Sequence, residues 1–409
     1  MTNNAEQSAT VWLENKFHQQ SKILLKGQES YYRILQAQGS PYSHKVMTYM
    51  HYKGIHYKKI HSNQSDLKWA VEAAGQSIVP VMLSPDDQVM QDSTPIIEYL
   101  EAQHPEVSTI PEDPSLAFLM WLIEDFADEY MPRMIMHTRW GNEQNRHTLS
   151  HKIARGIVYG VPTMQMQQLA PIILNRQTGF DQHLGLEGEE VRANMDKQVL
   201  DLLSILEAHF EQHQFLLGGK PSVADFALYG PLKVHFYEDP QSHEIMETQA
   251  PRTCNWIHTI MQLGDTRGCA GQTEFTDWLN LAKGLPKSLS HLLSFIAKTY
   301  VPLCKATAKA AASKVKRFET QIDGVIATFT TSQYRAWAFE QLQLRYQNLT
   351  PEEQSQLSGA LIDSQIMPAL MSDGILHSTL FDGFTPPFVK DGIPDARIKY
   401  LKEKAKKAL

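Results

Sequence analysis

At 409 residues the chain is longer than one hydrophobic core usually organises, and its 42% hydrophobic and 20% charged residues exclude a disordered or disulfide-stapled scaffold. A balance of 38 Lys+Arg against 45 Asp+Glu gives a formal charge of −7, which would repel a phosphate backbone, so no nucleic acid partner is expected. The polar start, MTNNAEQSATVWLENK, and the lack of any run near the ~18 apolar residues of a membrane span point to a cytoplasmic protein. Cys254, Cys269 and Cys304 are odd in number and far apart, which disfavours disulfide, dithiol and metal chemistry.

In chain order, residues 31–36 read as a strand that Gly39-Ser40-Pro41 ends, and residues 42–52 carry helical spacing with Val46, Met47 and Met50 on one side. A strand near 55–60 and a helix around 66–74 follow. Residues 78–83 look like a buried strand with Pro80 near its start, and Pro85-Asp86-Asp87 turns the chain into 88–91. Ser93 is placed to cap a helix running to about Ala102. Beyond Pro105 long helical patterns take over, broken by Pro162 and by a loop over 179–188, with a last major helix over 253–263. Residues 264–409 add further helices, among them 332–346 and one opened by Thr350-Pro351-Glu352-Glu353, and read as an appended helical layer. Residues 384–394 look extended, and the stretch from Asp395 holds six basic and two acidic residues.

The segment Gly39-Ser40-Pro41-Tyr42-Ser43-His44-Lys45-Val46 sets two hydroxyls at a strand-to-helix junction. It resembles the Cys-Pro-Tyr-Cys motif of glutaredoxins with both cysteines replaced by serine, and is more similar to the Ser-Pro-Phe opening of serine-type glutathione transferases. Val79-Pro80 looks like the cis-proline of thioredoxin-like folds, and Asp92-Ser93 resembles the family's acidic-Ser motif. Leu216-Leu217-Gly218-Gly219-Lys220-Pro221-Ser222-Val223-Ala224-Asp225 resembles a folding element of the family's helical domain, with Ser222 and Asp225 at capping-box spacing.

The resemblance implies an α+β architecture: an N-terminal extension (1–29), a thioredoxin-like glutathione-binding domain (30–104), an all-helical domain (105–263) and a helical extension with a basic tail (264–409). It further implies a homodimer that uses glutathione as co-substrate, without a metal. Ser40 takes the position of the catalytic hydroxyl, while Tyr42, Ser43, Val79, Pro80, Asp92 and Ser93 surround the tripeptide. Ser43 is the competing donor to the thiolate.

A free thiol has a pKa of about 8.5, so little of it is nucleophilic at neutral pH. A hydroxyl bonded to the anion contributes roughly 1.5–3 kcal/mol and a helix N-terminus about 0.3–1 kcal/mol, enough to favour the thiolate. The activated sulfur would attack a small hydrophobic electrophile held near residues 116–140, without a covalent enzyme intermediate. Serine oxygen cannot exchange with a disulfide, which argues against glutaredoxin-like chemistry.

In that stretch Glu124/Asp128 and Asp125/Glu129 set like charges four apart on one helix face, with Arg133, His137 and Arg139 as the expected ion-pair partners and a metal site or polar substrate contacts as the alternatives. Met131, Met134, Met136, Met164 and Met166 read as core or as a deformable apolar pocket. His51, His56 and His61 read as surface or strand histidines. A non-catalytic scaffold of the same fold, and a glutathione-dependent isomerase or dehalogenase, remain as alternatives.

Overall fold

The computed structural model describes residues 31–61, 78–86, 88–157, 163–263, 277–371, 374–381 and 386–387. The helix expected over 66–74, the break at Pro162, the side chains of Met164 and Met166, and the basic tail lie outside the described residues. The chain divides into two compact units, one holding residues 1–105, 146–175 and 381–409, the other residues 106–145 and 176–380.

The first unit is built on a four-stranded sheet of β1 (Tyr32–Gln36), β2 (Tyr57–His61), β3 (Val81–Leu83) and β4 (Val89–Gln91), in the order β2-β1-β3-β4. β1 pairs parallel with β2 and antiparallel with β3, and β3 pairs antiparallel with β4. The parallel pair needs a crossover, supplied by α1 (Pro41–Tyr52), whose Val46, Met47, Tyr49 and Met50 are buried. β3 starts at Val81 rather than at 78, because Pro80 has no N–H to give the ladder. α2 (Ser93–Gln103) closes the module, burying Ile96, Ile97 and Leu100. On its far side Tyr49 and the buried Lys53 both donate to one oxygen of Glu101 at 2.9 Å, joining α1 to α2. The unit also takes in most of α5 (Glu143–Ile157) and α6 (Thr163–Thr178), which share a small core of Ala154, Ala170 and Ile173.

The second unit is arranged around α3 (Pro114–Glu129), which Asp113 caps by accepting from the amides of Ser115 and Leu116 and which is apolar nearly all round. α4 (Met131–Gly141), α7 (Glu189–Phe210), α8 (Val223–Pro231), α9 (Pro240–Gln249) and α10 (Pro251–Gln262) complete the helical domain. Asp225, fully buried at the start of α8, accepts from the Leu216 amide at 2.9 Å and from the amide and hydroxyl of Ser222 at 2.8 and 2.7 Å. Burial raises its pKa to about 6, and its bonds are spent on folding rather than on a ligand.

The extension joins this core. Its entry strand pairs with the 217–219 turn, where Leu279 N–H donates to Leu217 and Gly219 N–H to Asp277. Gly218 permits that approach: its φ is +126°, and a Cβ there would sit 2.8 Å from the Asp277 carbonyl. α11 (Lys287–Ala312), α12 (Gln333–Gln347), α13 (Pro351–Ala360) and α14 (Ile366–Met371) follow, α13 opened by the reciprocal Thr350–Glu353 capping box.

Two expectations change here. The extension is not helical throughout, because β5 (Arg317–Ile322) and β6 (Val325–Thr330) form an antiparallel hairpin across Asp323-Gly324. Both turn residues have positive φ, 47° and 89°, as a two-residue hairpin turn requires. The expected ion-pair network along α3 and α4 also does not form. Arg133 donates to the Leu184 and Gly185 carbonyls and to Tyr130, His137 pairs with Asp196, and Arg139 pairs with Asp239 at 2.6 Å. Asp125 and Glu129 instead receive the Tyr300 hydroxyl and Arg335 from the extension. A carboxylate buried in a helix bundle takes the donor that packs against it, and sequence proximity does not decide which one that is.

His209 joins the same layers, with Nδ1 3.0 Å from Ser288 Oγ and Nε2 3.2 Å from the Phe215 carbonyl. Burial lowers its pKa from 6.5 to about 4. The unfolded chain therefore binds the extra proton first, so the stabilisation is complete above pH 6.5 and is lost as pH falls toward 4. The shift corresponds to about 3 kcal/mol over that window. Denaturant unfolding at several pH values should show this acid-side loss, and His209→Gln should flatten it.

Candidate glutathione site

Ser40 ends the loop after β1 in an extended conformation, φ −96° and ψ 116°, and caps α1, with Pro41 in the first helical position. Its Oγ accepts the Ser43 amide at 3.2 Å and directs its proton at the Val79 carbonyl, 3.5 Å away. With one lone pair used by the cap, the proton is what Ser40 can offer an anion, and the bond it makes now is at the limit of length. Ser40 and Tyr42 are half-buried. Ser43 is fully buried and its hydroxyl has no hydrogen-bond partner, which places it toward the module's interior and leaves Ser40 the more accessible of the two hydroxyls.

The Val79–Pro80 peptide is cis, and Pro80 is buried immediately before β3. Gln91, at the end of β4, donates from Nε2 to the Ile78 carbonyl at 3.0 Å and so holds the strand that presents Val79. Asp92 follows with φ 85° and ψ 119°, a left-handed φ that few non-glycine residues adopt. Asp92, not Ser93, is the N-cap of α2, whose first helical bond runs from Ile96 N–H to the Asp92 carbonyl; the buried Ser93 is the first helical residue. The first turn of α2 also receives the buried Lys45, whose Nζ donates to Thr94 Oγ1 at 3.1 Å. Nothing in the sequence marked Lys45, since a lysine in an amphipathic helix ordinarily reads as solvated.

Three segments of one unit thus converge: the mouth of α1 with Ser40, the cis Val79–Pro80 turn, and the start of α2 with Asp92 and Ser93. Ser40 and Val79 touch directly, and Gln91 ties the Val79 strand to the residue before Asp92. A helix N-terminus backed by an ammonium favours a carboxylate, and a hydroxyl at a second helix N-terminus favours a thiolate.

Among the described residues no group of three or more His, Cys, Asp or Glu is placed to hold a metal ion, and no helix is long and apolar enough to cross a membrane. Cys254 and Cys304 are buried, and burial pushes the Cys254 thiol up to about 12. Met131 and Met134 are core residues and Met136 is half-buried. His56 is exposed and His51 half-buried.

A thioredoxin-like module with a hydroxyl at the mouth of its first helix, together with a mainly helical unit, defines an architecture of the glutathione transferase type. Residues 39–103 match the family model for the glutathione S-transferase N-terminal domain, and residues 162–263 match that for the C-terminal domain. Glutathione S-transferase omega-1 of Sus scrofa is 21% identical over 128 residues, 31% of this chain and 53% of its own length. The chain therefore spans about half the length of that curated relative. Among solved structures, the beta-etherase LigF from Sphingobium sp. strain SYK-6 is 17% identical, with 57% of this chain and 99% of that chain covered and a TM-score of 0.43. Rice GST1 in complex with glutathione is 18% identical, with 60% and 100% covered and a TM-score of 0.37. The chain carries both domains of the glutathione transferase superfamily.

Proposed function

We propose that the first module binds glutathione and that the chain is a glutathione transferase acting on a small hydrophobic electrophile. The observation that carries this reading is Ser40 Oγ at the N-cap of α1, 3.5 Å from the Val79 carbonyl beside a cis proline. In this reading the cysteinyl backbone of glutathione pairs with Val79, and its γ-glutamyl end lies at Asp92 and Ser93. Lys45 at the first turn of α2 strengthens the field for that carboxylate.

Ser40 turns its proton from Val79 to the sulfur, and the thiol proton leaves to solvent. The thiolate then forms one C–S bond with an electrophilic carbon, either by displacing a leaving group that carries off the electron pair of the broken bond, or by adding to a polarised double bond whose π electrons take up a proton from solvent. Among the described residues, Cys254 and Cys304 are buried and take no part. The whole chain would work as a cytoplasmic homodimer.

Ser93→Ala tests the γ-glutamyl half separately. It should weaken glutathione binding roughly tenfold, about 1.4 kcal/mol, with turnover at saturating glutathione little changed. Calorimetric titration and the KM-against-kcat split read this out, and unchanged affinity would remove Ser93 from the site.

A further inference from the structure

α5 carries His147 and His151 four residues apart, the spacing that sets two side chains one turn apart on the same helix face. Their ring centroids lie 4.6 Å apart with the planes inclined by 37°, so the two imidazoles stand side by side. His147 is exposed and His151 half-buried. His151 Nδ1 is 2.8 Å from the His147 carbonyl, which can only accept, so Nδ1 carries the proton and the neutral ring keeps its lone pair on Nε2. A carbonyl that holds Nδ1–H in this way is the outer-shell contact that orients a metal-ligating histidine. Among the described residues, neither the His147 ring nor His151 Nε2 has a hydrogen-bond partner.

The same spacing recurs at His209 and His213, whose rings stack at 4.8 Å. There the buried His209 has both nitrogens occupied, Nδ1 by Ser288 Oγ and Nε2 by the Phe215 carbonyl. Spacing alone therefore does not make a site, and the α5 pair differs in keeping its ligand atoms available.

We infer that His147 and His151 chelate a divalent transition-metal ion of the zinc type, with water completing its shell. Imidazole nitrogen suits Zn²⁺, Cu²⁺ and Ni²⁺, whereas Mg²⁺ demands oxygen ligands. Both ligands stand on one rigid helix face, so little ordering is needed to bring the second to an ion held by the first. Glu143 and Arg155, exposed one turn to either side on the same stripe, are opposite in sign, which leaves selection to the two imidazoles. The site is independent of the glutathione reading.

The full chain is titrated calorimetrically with Zn²⁺ in thiol-free buffer, above the ordinary imidazole pKa of about 6.5, beside His147→Gln, His151→Gln and the double variant. Glutamine keeps the helix propensity of α5, so the variants change ligands and not the fold. Each single variant should lower the Zn²⁺ affinity of the site roughly tenfold or more, and the double variant should lose little beyond that, because one imidazole left alone no longer chelates. Mg²⁺ should give no binding heat at this site. Isotherms that are the same for the natural chain and the double variant overturn the inference. So do losses that simply add, which mark two independent surface histidines, and Mg²⁺ binding as tight as that of Zn²⁺.

Discussion

Ser40→Ala should lower the rate of glutathione conjugation roughly 10- to 100-fold, the worth of one hydrogen bond to a charged acceptor, while glutathione affinity changes little. In the proposed reading the hydroxyl acts on the sulfur and most of the tripeptide's contacts lie at Val79, Asp92 and Ser93, so the loss falls on kcat. Part of the effect is structural, because Ser40 Oγ also caps α1 through the Ser43 amide. Removing a cap costs about 1 kcal/mol of stability. Ser40→Asn separates the roles, since asparagine caps as well as serine but sets an amide where the hydroxyl proton was. Lost turnover with retained stability in Ser40→Asn assigns the hydroxyl to the thiolate. Turnover unaffected in both variants removes Ser40 from catalysis.

Gly185→Ala should destabilise the helical unit by roughly 2–4 kcal/mol, with no direct effect on glutathione binding. Gly185 has φ +62°, and an added Cβ would meet the Phe329 ring at 2.6–2.8 Å. Phe329 is fully buried on β6, so the ring has nowhere to go. The same ring lies 5.1 Å from the Arg133 guanidinium, which also donates to the Gly185 carbonyl at 2.8 Å. Arg133 is buried with neutral acceptors, and moving Phe329 uncovers a cation whose solvation depends on that stack. Phe329→Leu should relieve part of the Gly185→Ala defect, so that the double variant is less unstable than the sum of the singles. Strict additivity in denaturant unfolding would show that the hairpin does not bear on Gly185.

The parts of this architecture that were legible in the sequence are those set by neighbours along the chain. Ser40-Pro41 announces a helix start because cap and first-turn proline act within four residues. Thr350 and Glu353 do the same for α13, and Pro80 marks the beginning of β3. What was not legible depends on partners far away in the sequence. Arg139 finds Asp239 and Asp125 finds Tyr300, pairings that packing creates and spacing does not foretell. Ser43 and Lys45 differ from their helical neighbours only in which way the sheet faces them. The hairpin is a different case. Asp323-Gly324 between alternating residues is a local turn signal, which a reading of the extension as helices alone passes over. The bond between Pro387 and Gln91 joins residues so distant in sequence that only the folded chain brings them together.

The most direct measurement is a pH titration of the thiolate absorbance of glutathione in complex with the full chain. An apparent thiol pKa one to two units below the free value of about 8.5, restored toward it in Ser40→Ala, is the predicted result. Glutathione that does not bind at millimolar concentration, or that binds with its thiol titrating as in water, would contradict it.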